Sequence, residues 1–225
     1  MQNAYKMLLE MPLMEDYEVL VEEANAGKPR NYYISGPYLM AEQANRNNRI
    51  YQLNEMEKEV ERYTEELIKK NRSVGALNHP ENQIDVDLEK ACHMVVALEK
   101  KGGNYFYGKS KILNTPTGKI VQTLLGDGVK LGISSRALGR LVPKDGINMV
   151  EGFRLIAMDI VHEPSVTNAM LDSILENKEY LIDNSGRIME VSLNDLQNRL
   201  KILPNQERNK YIIESFAKFI KSLRD

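Results

Sequence analysis

A single cysteine, Cys92, stands in 225 residues. No internal disulfide can form, and no Cys/His cluster has the spacing of a zinc site. A reducing, intracellular setting is the simplest reading, and no metal or other cofactor is expected. No run approaches the ~18 apolar residues that a membrane-crossing helix needs. The opening stretch, MQNAYKMLLEMPLMEDYE, lacks the cationic start and apolar centre of a secretory signal. An excess of charge is missing too: 30 Lys and Arg against 32 Asp and Glu give a net charge of -2. A dedicated nucleic-acid binder shows a basic excess or stripe, so neither nucleic acid nor membrane is expected as a partner. Two catalytic motifs are also absent. Without G-x-S-x-G there is no nucleophile elbow, and GDGVKLG lacks the spacing and the terminal Lys-Ser/Thr of a phosphate-binding loop.

What remains is ample for a folded body, with 42% hydrophobic and 28% charged residues. Residues 1–26 are polar and Met-rich and read as a leader of helical character. NYYISGPYLMAE (Asn31 to Glu42) reads as a strand and a turn at its Gly-Pro break. Leu53, Met56, Val60, Tyr63 and Leu67 recur in steps of three and four, which predicts a helix over Leu53 to Asn71 with a charged outer face. HMVVALE (His93 to Glu99) and YFYGKSKIL (Tyr105 to Leu113), joined by KKGGN, predict a hairpin. TGKIVQTLLGDG (Thr117 to Gly128) predicts a short helix closing on glycine. VKLGISS (Val129 to Ser135) and FRLIAMDIVHEPS (Phe153 to Ser165) predict strands, the second stopped at Pro164. After about residue 170 the texture turns helical. Ser192 is a candidate helix start, and Pro204 precedes a last amphipathic helix, Glu207 to Leu223.

Amide hydrolysis needs a nucleophile, a base within hydrogen-bond reach of it, and a group that orients the base. Histidine is the usual base, and the chain has only three: His79, His93 and His162. Ser134 and Ser135, in KLGISSRALGR, are the conspicuous serines. Taken alone, paired serines are a turn and a loop histidine is structural. Cys92 beside His93 reads as a buried small hydrophobe rather than a nucleophile.

Four blocks in register change that reading: NRNNRIYQLNEMEKEVERY, GALNHPEN, YFYGKSKILNTPTGKIVQTLLGDGVKLGISSRALG and DIVHEPSVTNA. Together they resemble the prohead core protein proteases of tailed bacteriophages, the serine peptidases of capsid maturation. The resemblance covers about residues 31–169. It implies an α+β fold related to herpesvirus assembly proteases: a mostly antiparallel β-barrel surrounded by helices. It divides the chain into a peptidase domain, 1–169, and a helical C-terminal extension, 170–225.

The resemblance also implies a Ser-His peptidase. Its histidine is that of the Asn-His-Pro motif, His79, and its nucleophile is the first serine of Ser-Ser-Arg, Ser134. Asp159, the aspartate before the Pro-Ser motif, is the third member. A carboxylate on the apolar strand LIAMDIV would need a donor partner if buried, and His79 supplies one. Herpesvirus-type relatives use a second histidine, which makes His93 a rival. His93 precedes the serine in the chain, however, whereas the relatives' third member follows it. Ser135 and Arg136 are assigned to a substrate-binding or oxyanion loop, where Arg136 either binds substrate acidity or braces the loop. Gly128, Gly132 and Gly139 fit tight turns that present Ser134. NRNNRIY is either a turn held by Asn side chains or a clamp or part of the substrate groove, through Asn45, Arg46, Asn48 and Arg49.

The implied substrates are the scaffold or core proteins and the major capsid protein of the prohead, and the protease itself. The implied place is the prohead interior, in the cytoplasm of the infected host. Proteases of the closest phage type cut after glutamate in a Leu/Ile-x-Glu pattern. This chain holds such triplets at Leu8–Glu10, Ile174–Glu176, Ile188–Glu190 and Ile212–Glu214. Three lie beyond residue 170, which makes the tail a candidate removable pro-segment and the protease a candidate zymogen. Its last helix is a candidate for docking on scaffold or for self-association. The competing reading is a non-catalytic scaffold or assembly protein that keeps the protease-like fold.

Overall fold

In the computed structural model, residues 5–10, 17–22, 31–80, 84–162, 179–182 and 188–191 are described. They form an α+β architecture dominated by strands, in two sheets. The first sheet holds β1 (Tyr5–Glu10), β4 (Arg49–Tyr51), β8 (Gly132–Lys144), β9 (Ile147–Val161), β10 (Glu179–Ile182) and β11 (Ile188–Val191), in the order β11-β10-β1-β8-β9-β4. The second holds β2 (Glu18–Glu22), β3 (Asn31–Met40), β5 (Val74–Ala76), β6 (Ala91–Lys100) and β7 (Tyr105–Ile112), in the order β2-β3-β7-β6-β5. Every pairing of these strands is antiparallel except β4 with β9.

The described strands do not close into a barrel. Beyond β5 the two sheets meet through a single parallel bridge, Leu77 to Ile160. One bridge cannot continue a ladder, so the expected barrel is a pair of sheets joined along one seam.

Strand alternation places the core. On β8 and β9, Ile133, Leu155, Met158 and Ile160 enter the main apolar cluster, with Ile34, Val95 and Phe106 from the second sheet. Helix α1 (Leu53–Tyr63) covers this cluster with Met56, Val60 and Tyr63, three residues of the stripe seen in the sequence. Each such side chain, fully buried, contributes about 1.5–3 kcal/mol. The helical path then widens into a π-turn over Thr64–Ile68. Helix α2 (Pro116–Gly126) starts on a proline, and the side chain of its N-cap Thr115 accepts a hydrogen bond from the Gly118 N–H.

Several local expectations are corrected. Tyr5–Glu10 and Glu18–Glu22 are strands, where the leader was expected to be helical. The alternation in YKMLLE explains the first: Leu8 joins the main cluster, whereas Met7 and Leu9 join Leu138 and Tyr180 in a second one. β3 runs straight through Gly36-Pro37, because a register shift between Pro37 and Leu39 absorbs the proline where a turn was expected. β10 and β11 are strands in the extension that was read as helical. The proposed helix start at Ser192 and the last helix, Glu207 to Leu223, lie outside the described residues. The hairpin β6–β7 forms as the sequence indicates, with Gly102 and Gly103 at φ 65° and 52° in its turn.

Candidate active site

β8 and β9 are register partners at Ser134 and Asp159, so their side chains rise from the same face of the sheet. His79 reaches that face from the segment after β5. The bridge at Leu77 and the hydrogen bond from the Asn78 N–H to the Ile160 carbonyl (2.8 Å) pin this segment to β9 one residue beyond Asp159. Asn78 itself takes φ 62°, a left-handed conformation that Asn tolerates better than most residues. The chain therefore turns at Asn78 and delivers the His79 ring between the two strands.

The three side chains form one line. His79 Nδ1 lies 2.8 Å from Asp159 Oδ2, and His79 Nε2 lies 2.8 Å from Ser134 Oγ. A carboxylate only accepts hydrogen bonds. Nδ1 therefore carries the proton toward Asp159, which leaves Nε2 as the acceptor for the Ser134 hydroxyl. All three residues are buried, Asp159 completely. Burial alone would raise the Asp159 carboxyl. The hydrogen bond from His79 and the charge of Arg136 outweigh it and bring the group down to about 2. The Ala76 N–H donates to Asp159 Oδ1 as well (3.0 Å).

Arg136 is fully buried, with Leu9 of β1 as its register partner. Two residues along β8 from Ser134, it shares the face on which Asp159 lies. Its Nε donates to Asp159 Oδ2 (2.9 Å), and its far end donates to the Ile84 carbonyl. The loop assignment is thus corrected: Ser134, Ser135 and Arg136 lie inside a thirteen-residue strand, β8. Gly132 and Gly139 are strand residues as well. Only Gly128, at φ 82°, makes the turn expected of it. The alternation Ser134-x-Arg136 was the signal for Arg136: on a strand, such residues share a face.

The other sequence candidates lie apart from this line. His93 is fully buried on β6 with its Nε2 2.9 Å from the Met158 carbonyl, which makes that nitrogen the proton-bearing donor. Burial lowers the ring to about 4, keeping it neutral. Burial pushes the Cys92 thiol up to about 12, so it is no ready nucleophile. His162 is exposed at the end of β9.

NRNNRIY does two things. The Asn45 side-chain oxygen accepts from the Asn47 and Arg49 N–H groups (both 3.0 Å), which builds the turn. Its amide nitrogen donates to Glu10 Oε2 (2.6 Å), and Asn47 donates to the same oxygen (2.8 Å). Arg49 and Tyr51 donate to Glu10 Oε1 (2.8 and 2.9 Å). Asn48 instead ties the turn to the Gly146 carbonyl (2.7 Å). Glu10 was read only as the end of a Leu-x-Glu triplet, and Asn47 and Tyr51 only as members of the NRNNRIY block. Their meeting depends on β1 pairing with β8, which no local pattern announces.

Residues 3–179 match the family described as prohead core protein serine protease. The chain belongs to that family. It is 31% identical over 165 residues to the prohead core protein protease of Enterobacteria phage T4, covering 71% of this chain and 74% of that protein. It also resembles the solved capsid assembly protease of bacteriophage T4, with a TM-score of 0.64 at 30% identity, over 71% of this chain and 99% of that one. The chain is therefore a serine peptidase, a protease of phage capsid maturation.

Proposed function

We propose that this protease acts through Ser134 as nucleophile, His79 as general base and Asp159 as the group that orients His79. The observation that carries the proposal is the unbroken line of two 2.8 Å contacts through the His79 ring. Ser134 attacks the scissile carbonyl while its proton passes to His79 Nε2. Asp159 stabilises the resulting imidazolium, and the same proton goes on to the departing amine. Water then cleaves the acyl-enzyme with His79 again as base. Ser135 belongs to the oxyanion side: its hydroxyl donates to the Glu10 carbonyl (3.4 Å), the same carbonyl that faces Ser134. Arg136 keeps Asp159 ionised and braces its position.

The substrates are scaffold or core proteins and the major capsid protein, cut after glutamate in Leu/Ile-x-Glu sites inside the prohead, in the cytoplasm of the infected host. Family membership supports this reading. The extension after residue 170 serves as a removable segment of a zymogen. β11 carries one of its triplets, Ile188–Glu190, and sits two strands away from β1 in the sheet. The same membership, the mostly antiparallel sheets and the histidine-before-serine order support kinship with herpesvirus assembly proteases.

The test is covalent labelling by a serine-directed phosphonate together with fragmentation of a scaffold protein. Ser134→Ala abolishes both. Equal fragmentation in wild type and Ser134→Ala, with label elsewhere, would instead favour a protease-like scaffold protein.

A further inference from the structure

Both main-chain polar groups of Leu155, on β9, go to side chains of α1. Glu59 Oε1 accepts from the Leu155 N–H (2.7 Å), and a terminal nitrogen of Arg62 donates to the Leu155 carbonyl (2.8 Å). The two side chains are themselves joined, because Arg62 Nε lies 2.9 Å from each carboxyl oxygen of Glu59. Glu59 and Leu155 are both buried. One acceptor and one donor, held together and turned to a single residue, offer what a neighbouring strand would offer. Among the described residues no strand takes this edge of β9 at Leu155. β4 pairs with Asn148 to Val150, and the segment after β5 joins only at Ile160.

Leu155 sits where the β8–β9 ladder is irregular. Arg136 pairs with Ala157 and Ala137 with Leu155, so Ile156 is an extra residue of β9. A second shift falls between Leu138 and Arg140. Only the pairs Ala137–Leu155 and Leu138–Arg154 lie between the two shifts, so the ladder holds its register weakly here. A slip of β9 by one residue would set Met158 or Ile160 opposite Ser134 in place of Asp159, and would turn Asp159 to the other face. The helix also ends close to the site: burial, and then the charge of Asp159, push the Tyr63 hydroxyl up.

We propose that Glu59 and Arg62 are positioning residues for the peptidase reaction: as a fork on Leu155 they fix the extra residue at Ile156, and with it the register that sets Asp159 opposite Ser134. The proposal rests on the catalytic roles given above. The pair acts through β9 and not on the reacting atoms. Glu55 supplies the comparison. One turn earlier on the same face of α1, it accepts from the Gly152 and Phe153 N–H groups (2.9 and 3.5 Å). Those residues lie beyond the second shift, so this contact secures β9 without setting the pairing at Asp159.

The experiment labels the full chain with a glutamyl-peptide phosphonate. It reads the saturating rate at Ser134, the half-saturating concentration, thermal unfolding, and the low-field proton signal of the His79–Asp159 hydrogen bond, assigned by its loss in His79→Gln. Glu59→Ala lowers the saturating rate about tenfold or more, leaves the half-saturating concentration unchanged, and weakens the proton signal. Glu59→Gln keeps an acceptor for the Leu155 N–H and recovers most of the rate. Glu55→Ala loses stability but keeps both rate and signal. Where Glu59→Ala does not fold, the double variant Glu59→Met, Arg62→Met takes its place with the same expected losses, since it leaves no unpaired charge. A wild-type rate and signal without the fork would overturn the proposal. So would equal rate losses in Glu55→Ala and Glu59→Ala, which a purely structural contact produces. A wild-type rate in Asp159→Asn would instead overturn the catalytic roles themselves.

Discussion

Ser134 and Asp159 stand directly opposite each other on β8 and β9, yet they communicate through His79, which enters from another sheet. The ladder fixes the separation of nucleophile and carboxylate, and the bridge after β5 fixes the ring between them. Asp159→Asn leaves this backbone intact. Its amide can offer a donor to Nδ1, which stabilises the wrong tautomer and turns an N–H toward Ser134. The expected outcome is a loss of about 10⁴-fold in kcat with little change in KM. Steady-state kinetics on a glutamyl peptide checks it. A loss confined to KM would remove Asp159 from the line.

Arg136 and Asp159 are both wholly buried, so each depends on the other. Removing one partner of a buried pair leaves an uncompensated charge, at about 3–5 kcal/mol. Arg136→Met is expected to lose stability on that scale in urea unfolding. Arg136→Lys keeps the charge but not the fork, and recovers part of it. Because Arg136 has no exposed surface, the selectivity of Arg136→Lys between acidic and neutral residues at the cleavage site stays at the wild-type value. A changed selectivity would favour the substrate-binding alternative that the sequence left open for it.

His93 gives a pH signature distinct from that of the catalytic line. Its folded value, about 4, lies below its ordinary 6.5, so the unfolded chain takes up the proton first. Stability is full above about 6.5 and falls as pH drops toward about 4, by about 3 kcal/mol in total. Asp159 acts lower: its contribution is present above about 3.8 and is lost as pH falls toward about 2. His93→Gln keeps a donor for the Met158 carbonyl and removes the first loss. The stability profile between pH 6.5 and 4 is therefore expected to flatten in this variant, while phosphonate labelling of Ser134 persists. Abolished labelling in a folded variant would make His93 a member of the line.

Much of this was legible in the residues. Periodicity predicted α1, a closing glycine predicted α2 and the Gly-Gly pair predicted the β6–β7 hairpin, because each signal is local. His79, Ser134 and Asp159 were named from motif resemblance, since their spacing carries no proximity until the ladder is drawn. Three things stayed hidden for physical reasons. Arg136 was left open between binding substrate acidity and bracing a loop because its partner, Asp159, lies on another strand. The GP step looked like a turn because the register shift that shelters it belongs to the β3–β7 pairing. The pocket around Glu10, read as part of a polar leader and as the end of a Leu-x-Glu triplet, was hidden because its four donors lie at positions 45 to 51.

Gly75 links the fold to the chemistry. A Cβ added there would sit 1.8 Å from the Met158 carbonyl oxygen and 2.2 Å from His93 Nε2, inside the hydrogen bond that joins those two atoms. Neither can yield: one is backbone and the other is a buried ring. Gly75→Ala therefore pushes β5 away from β9, and Ala76, whose N–H holds Asp159, moves with it. His79 follows three residues later. The expected stability loss is about 1–3 kcal/mol, accompanied by a fall in labelling rate of about 10²-fold, since a misplacement near 1 Å suffices for that. Gly103→Ala is the control. It lies in the β6–β7 turn at φ 52° with no atom near its added Cβ, so it strains the backbone alone. It is expected to lose about 1 kcal/mol and keep the wild-type labelling rate. Thermal unfolding and labelling kinetics on both variants decide the matter: equal labelling rates would show that the β5 anchor does not position His79.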